Sequence, residues 1–405
     1  MPGTLEGMRI VEGSAFVAAP LGGMTLSQLG AEVIRFDPIG GGLDAERWPV
    51  TAEGRSLYRA GLNKGKRSIA IDLSSPEGQD IAAALITAPG MDAGMFLTNF
   101  PARGWLDYEA LRAKRSDLIM LNILGNPDGS SAVDYTVNCA AGFPHVTGPE
   151  ASDAPVNHVL PAWDLITGVT AAAGLLAAER HRKRTGEGQL VKLALSDVAL
   201  AMAGNLGFIA EVQINRDDRR RYGNYLYGAF GRDFVTGDGK RIMVIALTRR
   251  QWQALIEATG LGESFAAIGR RRGLDLDREG NRFVAREAIA QALEPWVASR
   301  TREEIGRAFD AGGVCWGPYR TFKEMVEDDP RCSTENPMFS EIEQPGIGTY
   351  LAPASPLDFG AVKRPAPAPA PKLGEHTDEI LSSVLGLSEP EIGRLHDQGV
   401  VAGAD

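Results

Sequence analysis

Asp164 follows the extended run His158-Val159-Leu160-Pro161-Ala162-Trp163, just where a long Ala- and Leu-rich stretch begins near Leu165. A carboxylate there has two uses. It is a good helix N-cap, accepting hydrogen bonds from the first unpaired backbone N–H groups. It also sits at the positive end of the helix dipole, which favours its ionised form. An ionised carboxylate beside a cleft can attack an activated carbonyl and carry an acyl group. By spacing alone the cap is the stronger of the two readings. Other chemistry has less support. His145, His158, His181, His376 and His396 show no metal-ligand spacing, and Cys139, Cys315 and Cys332 lie too far apart for a zinc site or a disulfide framework. No metal is expected.

The bulk properties narrow the class. A chain of 405 residues is long enough for two domains. Its 52 acidic and 42 basic residues leave a formal charge of −10, which disfavours nucleic acid or an anionic membrane as the main partner. A local Arg/Lys cluster could still hold an anionic small ligand. No apolar run reaches the roughly 18 residues of a membrane span, and residues 1–7 lack the basic and apolar regions of a secretory signal. A reducing, cytoplasmic setting is expected.

The elements that must position Asp164 alternate. Met8–Glu12 reads as a strand, Gly13–Ala19 as the loop leaving it, Pro20–Leu29 as a helix and Glu32–Asp37 as a second strand. Strand signals recur at 68–72, 93–99, 118–123 and 189–195, separated by helical stretches near 75–88, 107–115 and 165–181. That order predicts a doubly wound α/β sheet, whose ligands sit at the C-terminal ends of the strands. The loop 13–19 is not a GxGxxG, so a dinucleotide is not indicated. After about residue 215 the pattern changes. A Gly/aromatic run (223–231), a hairpin around Gly237-Asp238-Gly239 and helices near 249–259, 283–297 and 301–311 predict a smaller α+β unit. From 345 onward the chain reads as extended and Pro-rich, tied down by helices at 375–386 and 388–397.

Several strings, in order, resemble the family III coenzyme A transferases: LEGMRIVE (5–12), QLGAEVIRFD (28–37), NKGKRSI (63–69), TNF (98–100), KRTGEGQ (183–189) and GEHTDEIL (374–381). Asp164 falls at the family's nucleophile position. Three further strings, EGSAFVAAP (12–20), DPIGGG (37–42) and GNYLYGAFGRDF (223–234), resemble members that move CoA between the C1 and C4 carboxyl groups of one mesaconate molecule. The resemblance implies a Rossmann-like large domain from residues 1–215 and 321–405, a small α+β domain from 222–320, and a homodimer of interlocked chains. It implies an acyl-CoA substrate and no separate cofactor, because CoA enters as part of the substrate.

It also implies roles, each beside a plainer reading. Val17 and Ala18 match a CoA-contacting loop, otherwise an ordinary β–α turn. Ile71, Asp72 and Leu73 match the adenine-site segment, otherwise a strand end. Asn99, Phe100 and Arg103 match a pantetheine and phosphate turn, though Arg103 is equally a solvated charge. Tyr135 matches a CoA-side position and is equally a core residue. For the acid itself, Arg47 is the first candidate grip, and the run holding Tyr225 and Gly228 a candidate lid. Two departures matter. Pro38 stands where some members place an Arg near the CoA phosphates. Lys64, Lys66 and Arg67 could compensate, although a solvated face is the plainer reading of each. Val133 stands where the related α-methylacyl-CoA racemases carry a catalytic His, which counts against racemisation. An intermolecular transferase for a dicarboxylic acid, and a non-catalytic binding protein, also remain open.

Overall fold

The computed structural model describes residues 3–404. Strands β1 (Arg9–Gly13), β2 (Glu32–Pro38), β3 (Arg67–Ile71), β4 (Met95–Thr98), β5 (Ile119–Leu124) and β6 (Gln189–Ala194) pair in parallel in the order β3-β2-β1-β4-β5-β6. A two-residue strand, Val401–Ala402, adds antiparallel to β3. The fold is the expected doubly wound α/β sheet. Strand order reverses between β1 and β4, so the loops leaving them diverge and open a crevice. The central strands are buried on both faces because helices cover both. Ile34, Phe36, Phe96 and Met120 face one core, with Leu85, Leu111, Ile380 and Leu381. Ile10, Val33, Leu97 and Leu121 face the other, with Ala18, Leu26, Ala171 and Leu175.

Two helices on that second face bring the crevice and Asp164 together. Helix Ala18–Gln28 packs along helix Ala162–Thr185. The approach requires glycine at Gly168, where a Cβ would lie 2.7 Å from the Ala18 carbonyl oxygen. Gly168 is one turn from Asp164, so Asp164 and the start of the other helix are held side by side.

The chain divides into two compact units. The first runs to Ala141, resumes at Val159–Ala210 and again from Pro330. The second comprises Gly142–His158 and Glu211–Asp329. Residues 142–158, expected in the large domain, therefore belong to the second unit. The cause is Arg221, whose buried guanidinium donates to the carbonyls of Pro144, His145, Ser152 and Ala154.

Within the second unit, Phe230–Val235, Arg241–Ala246 and Cys315–Pro318 form an antiparallel sheet, with the hairpin at Gly237–Gly239 as predicted. Helix Gly262–Arg272 was not predicted. Its sequence opens on glycine and ends in three arginines, and only Phe265 and Ile268 tie it to the Trp252 core. In the first unit the stretch from 345 is not simply extended: Phe339–Gln344 and Gly348–Pro353 form a hairpin turning at Gly346. Among the described residues, no single helix is long and apolar enough to cross a membrane.

Candidate active site

Asp164 is the third residue of helix Ala162–Thr185, not its N-cap. The residue at the N-cap, Pro161, has no side chain able to accept a hydrogen bond. The cap comes instead from Asp134, at the start of helix Asp134–Ala140. Its Oδ2 accepts from the Trp163 N–H at 2.7 Å and from the Asp164 N–H at 3.0 Å. The Trp163 indole N–H donates to Asn138 Oδ1 at 3.2 Å, fixing the same corner. The Asp164 carboxyl group is thus relieved of capping and stands half-buried.

The helix position was expected to favour its ionised form. Burial and, second, the negative charge of Asp134 outweigh it, pushing the Asp164 carboxyl up to about 6, while Arg47 pulls the other way. A carboxylate of raised basicity is the better nucleophile, provided it is ionised when the substrate arrives.

Arg47 lies close enough to Asp164 for its charge to act on the carboxyl group. Its guanidinium carbon lies 5.2 Å from the Phe16 ring centroid and 5.1 Å from that of Tyr58. Tyr58, in helix Leu57–Leu62, has its hydroxyl pKa raised chiefly by burial, with Arg47 opposing and with Asp164 and Tyr135 adding negative potential. Arg47, Tyr58, Tyr135 and Asp164 therefore share one electrostatic environment. Tyr135, at 42% exposure, is not a core residue. Its hydroxyl lies 3.5 Å from the Val159 carbonyl oxygen.

The loop after β1 forms the floor. Phe16 adopts φ +68°, unusual for a residue with a bulky side chain. Asn99, after β4, accepts from the Ala15 N–H at 2.9 Å and donates to the Ala15 carbonyl at 2.8 Å. Val17 and Ala18 are buried at the start of helix Ala18–Gln28, which has no side-chain cap, so they offer backbone N–H groups rather than side chains. Phe100 is half-buried, its N–H donating to Thr98 Oγ1 at 2.9 Å. Arg103 is exposed and bears no ion pair among the described residues.

At the end of β3, Ile71 is fully buried in the core. Asp72 accepts from the Ser74 N–H and hydroxyl, and Leu73 packs partly against the core. Tyr225 and Gly228 belong to the second unit. There Tyr225 accepts from Arg232 Nη1 at 3.2 Å, and Gly228 turns at φ +81°.

Beneath the site lies a buried charge network that the sequence did not disclose. Lys66, read as solvated, is only 3% exposed. It donates to Glu12 Oε1 at 2.8 Å, the Pro20 carbonyl at 2.9 Å and Asn63 Oδ1 at 2.9 Å. Burial pushes its pKa down to about 8, with Glu12 opposing. Lys64 is buried too, donates to the Gly61 carbonyl, and is likewise pushed down to about 8. Arg67 pairs with Glu32 and Glu379. None of the three stands free as a phosphate grip replacing the Arg missing at Pro38. Arg35 cannot serve either, because its guanidinium is spent on Asp37 and Asp44.

Sequence reasoning thus missed Asp134, Tyr58 and Phe16 as parts of the site. Asp134 acts 30 residues from its partner, and no local spacing marks such a cap.

Residues 5–377 match CoA-transferase family III. The chain is 65% identical to 2-methylfumaryl-CoA isomerase of Chloroflexus aurantiacus, over 100% of this chain and 99% of that one. It is 27% identical to succinyl-CoA:mesaconate CoA-transferase of Haloarcula hispanica, over 94% and 96%. A CAIB/BAIF family protein from Brucella suis has the same fold, with a TM-score of 0.76 at 24% identity, over 95% of this chain and 100% of that one. The order of motifs, the parallel sheet and the matched length agree: the chain belongs to CoA-transferase family III.

Proposed function

We propose that this protein moves CoA from the C1 to the C4 carboxyl group of mesaconate, converting 2-methylfumaryl-CoA to 3-methylfumaryl-CoA, with Asp164 as acyl carrier. The observation that carries this reading is the Asp164 carboxyl group itself: freed from capping, raised in basicity and faced by Arg47. The full-length likeness to a 2-methylfumaryl-CoA isomerase supports the choice of substrate.

Asp164 attacks the C1 thioester carbonyl, the C–S bond breaks, and a mixed aspartyl–mesaconyl anhydride forms as CoA thiolate leaves. The thiolate attacks the aspartyl carbonyl, giving an aspartyl-CoA thioester and free mesaconate. The C4 carboxylate of mesaconate attacks that thioester, forming a second anhydride and releasing thiolate again. Attack of the thiolate at C4 yields product and restores the Asp164 carboxylate. No proton is consumed. Backbone N–H donors at the uncapped helix start of Val17 and Ala18 suit the tetrahedral oxyanions, a donor of this kind contributing roughly 3–4 kcal/mol. Arg47 holds the carboxylate not being transferred. Asn99, Phe100 and Arg103 flank the pantetheine and phosphates, and Asp72 and Leu73 border the adenine. An interlocked homodimer and a cytoplasmic setting belong to the same reading.

Incubation with mesaconyl-C1-CoA alone tests it. Product at C4 without added acid is expected, and hydroxylamine should trap Asp164 during turnover. An absolute need for a second acid identifies an intermolecular transferase instead, and deuterium uptake at the α-carbon a racemase.

A further inference from the structure

Asp134 does more than a cap requires. A helix start needs an acceptor for its first N–H groups, and a Ser or Asn suffices. Here the acceptor is a carboxylate only 2% exposed, one oxygen of which, Oδ1, has no hydrogen-bond partner among the described residues. Burying a charge that is not fully paired is unfavourable. The charge is therefore surplus to the capping role, and it lies next to another carboxylate.

We propose that Asp134 is the positioning residue for the nucleophile: it fixes the Asp164 main chain through two N–H groups and holds a negative charge against the Asp164 carboxylate. This rests on the reading of Asp164 as acyl carrier. Burial and, second, the like charge of Asp134 destabilise the ionised carboxylate of the free enzyme. Once Asp164 forms an anhydride or a thioester it is neutral, and the repulsion disappears. The free carboxylate is thereby driven toward acylation, and the acylated forms persist until CoA returns. Among the described residues, few charged and titratable groups act on Asp164. Arg47 comes from the loop 40–49, Tyr58 from helix Leu57–Leu62, and Asp134 and Tyr135 from helix Asp134–Ala140. Asn138 and Trp163, on the same corner, are neutral. Arg47 is the only one of these that favours the ionised form, and Asp134 offsets it.

Asp134→Asn tests the inference, because its amide oxygen still accepts from both N–H groups while the charge is removed. Turnover of mesaconyl-C1-CoA should fall roughly ten-fold as the nucleophile loses basicity. The acid limb of the kcat/KM profile should move to lower pH, with KM little changed. Unchanged turnover and an unmoved acid limb would make Asp134 a cap alone and overturn the inference. Hydroxylamine trapping separates this failure from that of the underlying reading. If wild-type Asp164 is never trapped, the acyl-carrier reading falls. If it is trapped but the acid limb of D134N stays in place, only the role of Asp134 falls. Should D134N not fold, Asp134→Ser keeps an acceptor and carries the same test. Should neither fold, infrared titration of ¹³C-carboxyl-aspartate-labelled wild type against D164N decides. An Asp164 band titrating above the ordinary carboxylate range is expected, and one within that range overturns the proposal.

Discussion

Asn99 and Ala15 exchange two hydrogen bonds, one from the Ala15 N–H to Asn99 Oδ1 and one from Asn99 Nδ2 to the Ala15 carbonyl, at 2.9 and 2.8 Å. The pair joins the loops leaving β1 and β4 across the point where the strand order reverses. It sits next to Phe16, held at φ +68°, whose ring lies under the Arg47 guanidinium. The arrangement links Asn99 through the loop to the cation that faces Asp164.

Asn99→Ala should loosen that loop. Two partly buried backbone groups lose their partners, a cost of about 1–3 kcal/mol. Phe16 is then free to leave its left-handed conformation, and Arg47 loses one of its two ring contacts. Turnover should fall at least about ten-fold, more than the stability loss alone explains, since small misplacements are costly at a reacting centre. Thermal unfolding beside steady-state kinetics checks this. A lowered Tm with unchanged kcat/KM would confine the pair to structure.

The sheet was legible because its strands carry period, length and stop signals locally: Ser75 and Gly186 mark helix ends in sequence as they do in space. Asp164 was legible as a special residue, but its role came from the ordered family motifs and not from its spacing. What could not be read was long-range charge. Lys66 looks like one of three surface cations in NKGKR, yet it is buried because Glu12, Pro20 and Asn63 converge on it from three separate elements. Asp134 looks like the end of a polar loop, yet it caps another helix. Periodicity reports which face of an element is apolar; it carries no information on which distant group neutralises a polar one.

Lys66→Met tests the buried network. Glu12 is fully buried, keeps the Ser14 hydroxyl at 2.7 Å, and would face Arg35 only at 3.8 Å. Removing one partner of such a pair costs about 3–5 kcal/mol. Urea unfolding should show that loss. The double variant Glu12→Gln with Lys66→Met should recover part of it, because no uncompensated charge remains. Equal losses in the single and double variants would show that Lys66 stabilises by packing and not by charge.

Arg47→Gln tests retention of the acid. Without the cation, free mesaconate is no longer held beside the aspartyl-CoA thioester, and it competes with solvent and added acid. Isomerisation should fall by about 10²-fold, the order seen when one oxyanion-stabilising hydrogen-bond donor is removed. Labelled free mesaconate should begin to enter the product. Wild type should exclude the label. Label entry at the turnover rate in wild type would sink the idea of a retained intermediate, whatever the variant does.

Asp164→Asn makes a prediction about stability as well as activity. The folded-state pKa of about 6 lies above the ordinary carboxylate value of 3.8, so between those limits the folded protein binds a proton that the unfolded chain has released. By linkage, this group makes wild type lose stability as pH rises from about 4 to 6, and the penalty stays constant above that window. Removing the ionisable group removes the penalty. D164N should therefore be inactive yet gain stability relative to wild type at pH 7.5, by on the order of 2–3 kcal/mol beyond any difference at pH 4. Paired urea titrations at the two pH values measure that double difference directly. If the gap between the two proteins is the same at both, the Asp164 carboxyl group is not strained in the fold. Its nucleophilicity would then have to come from the bound substrate alone.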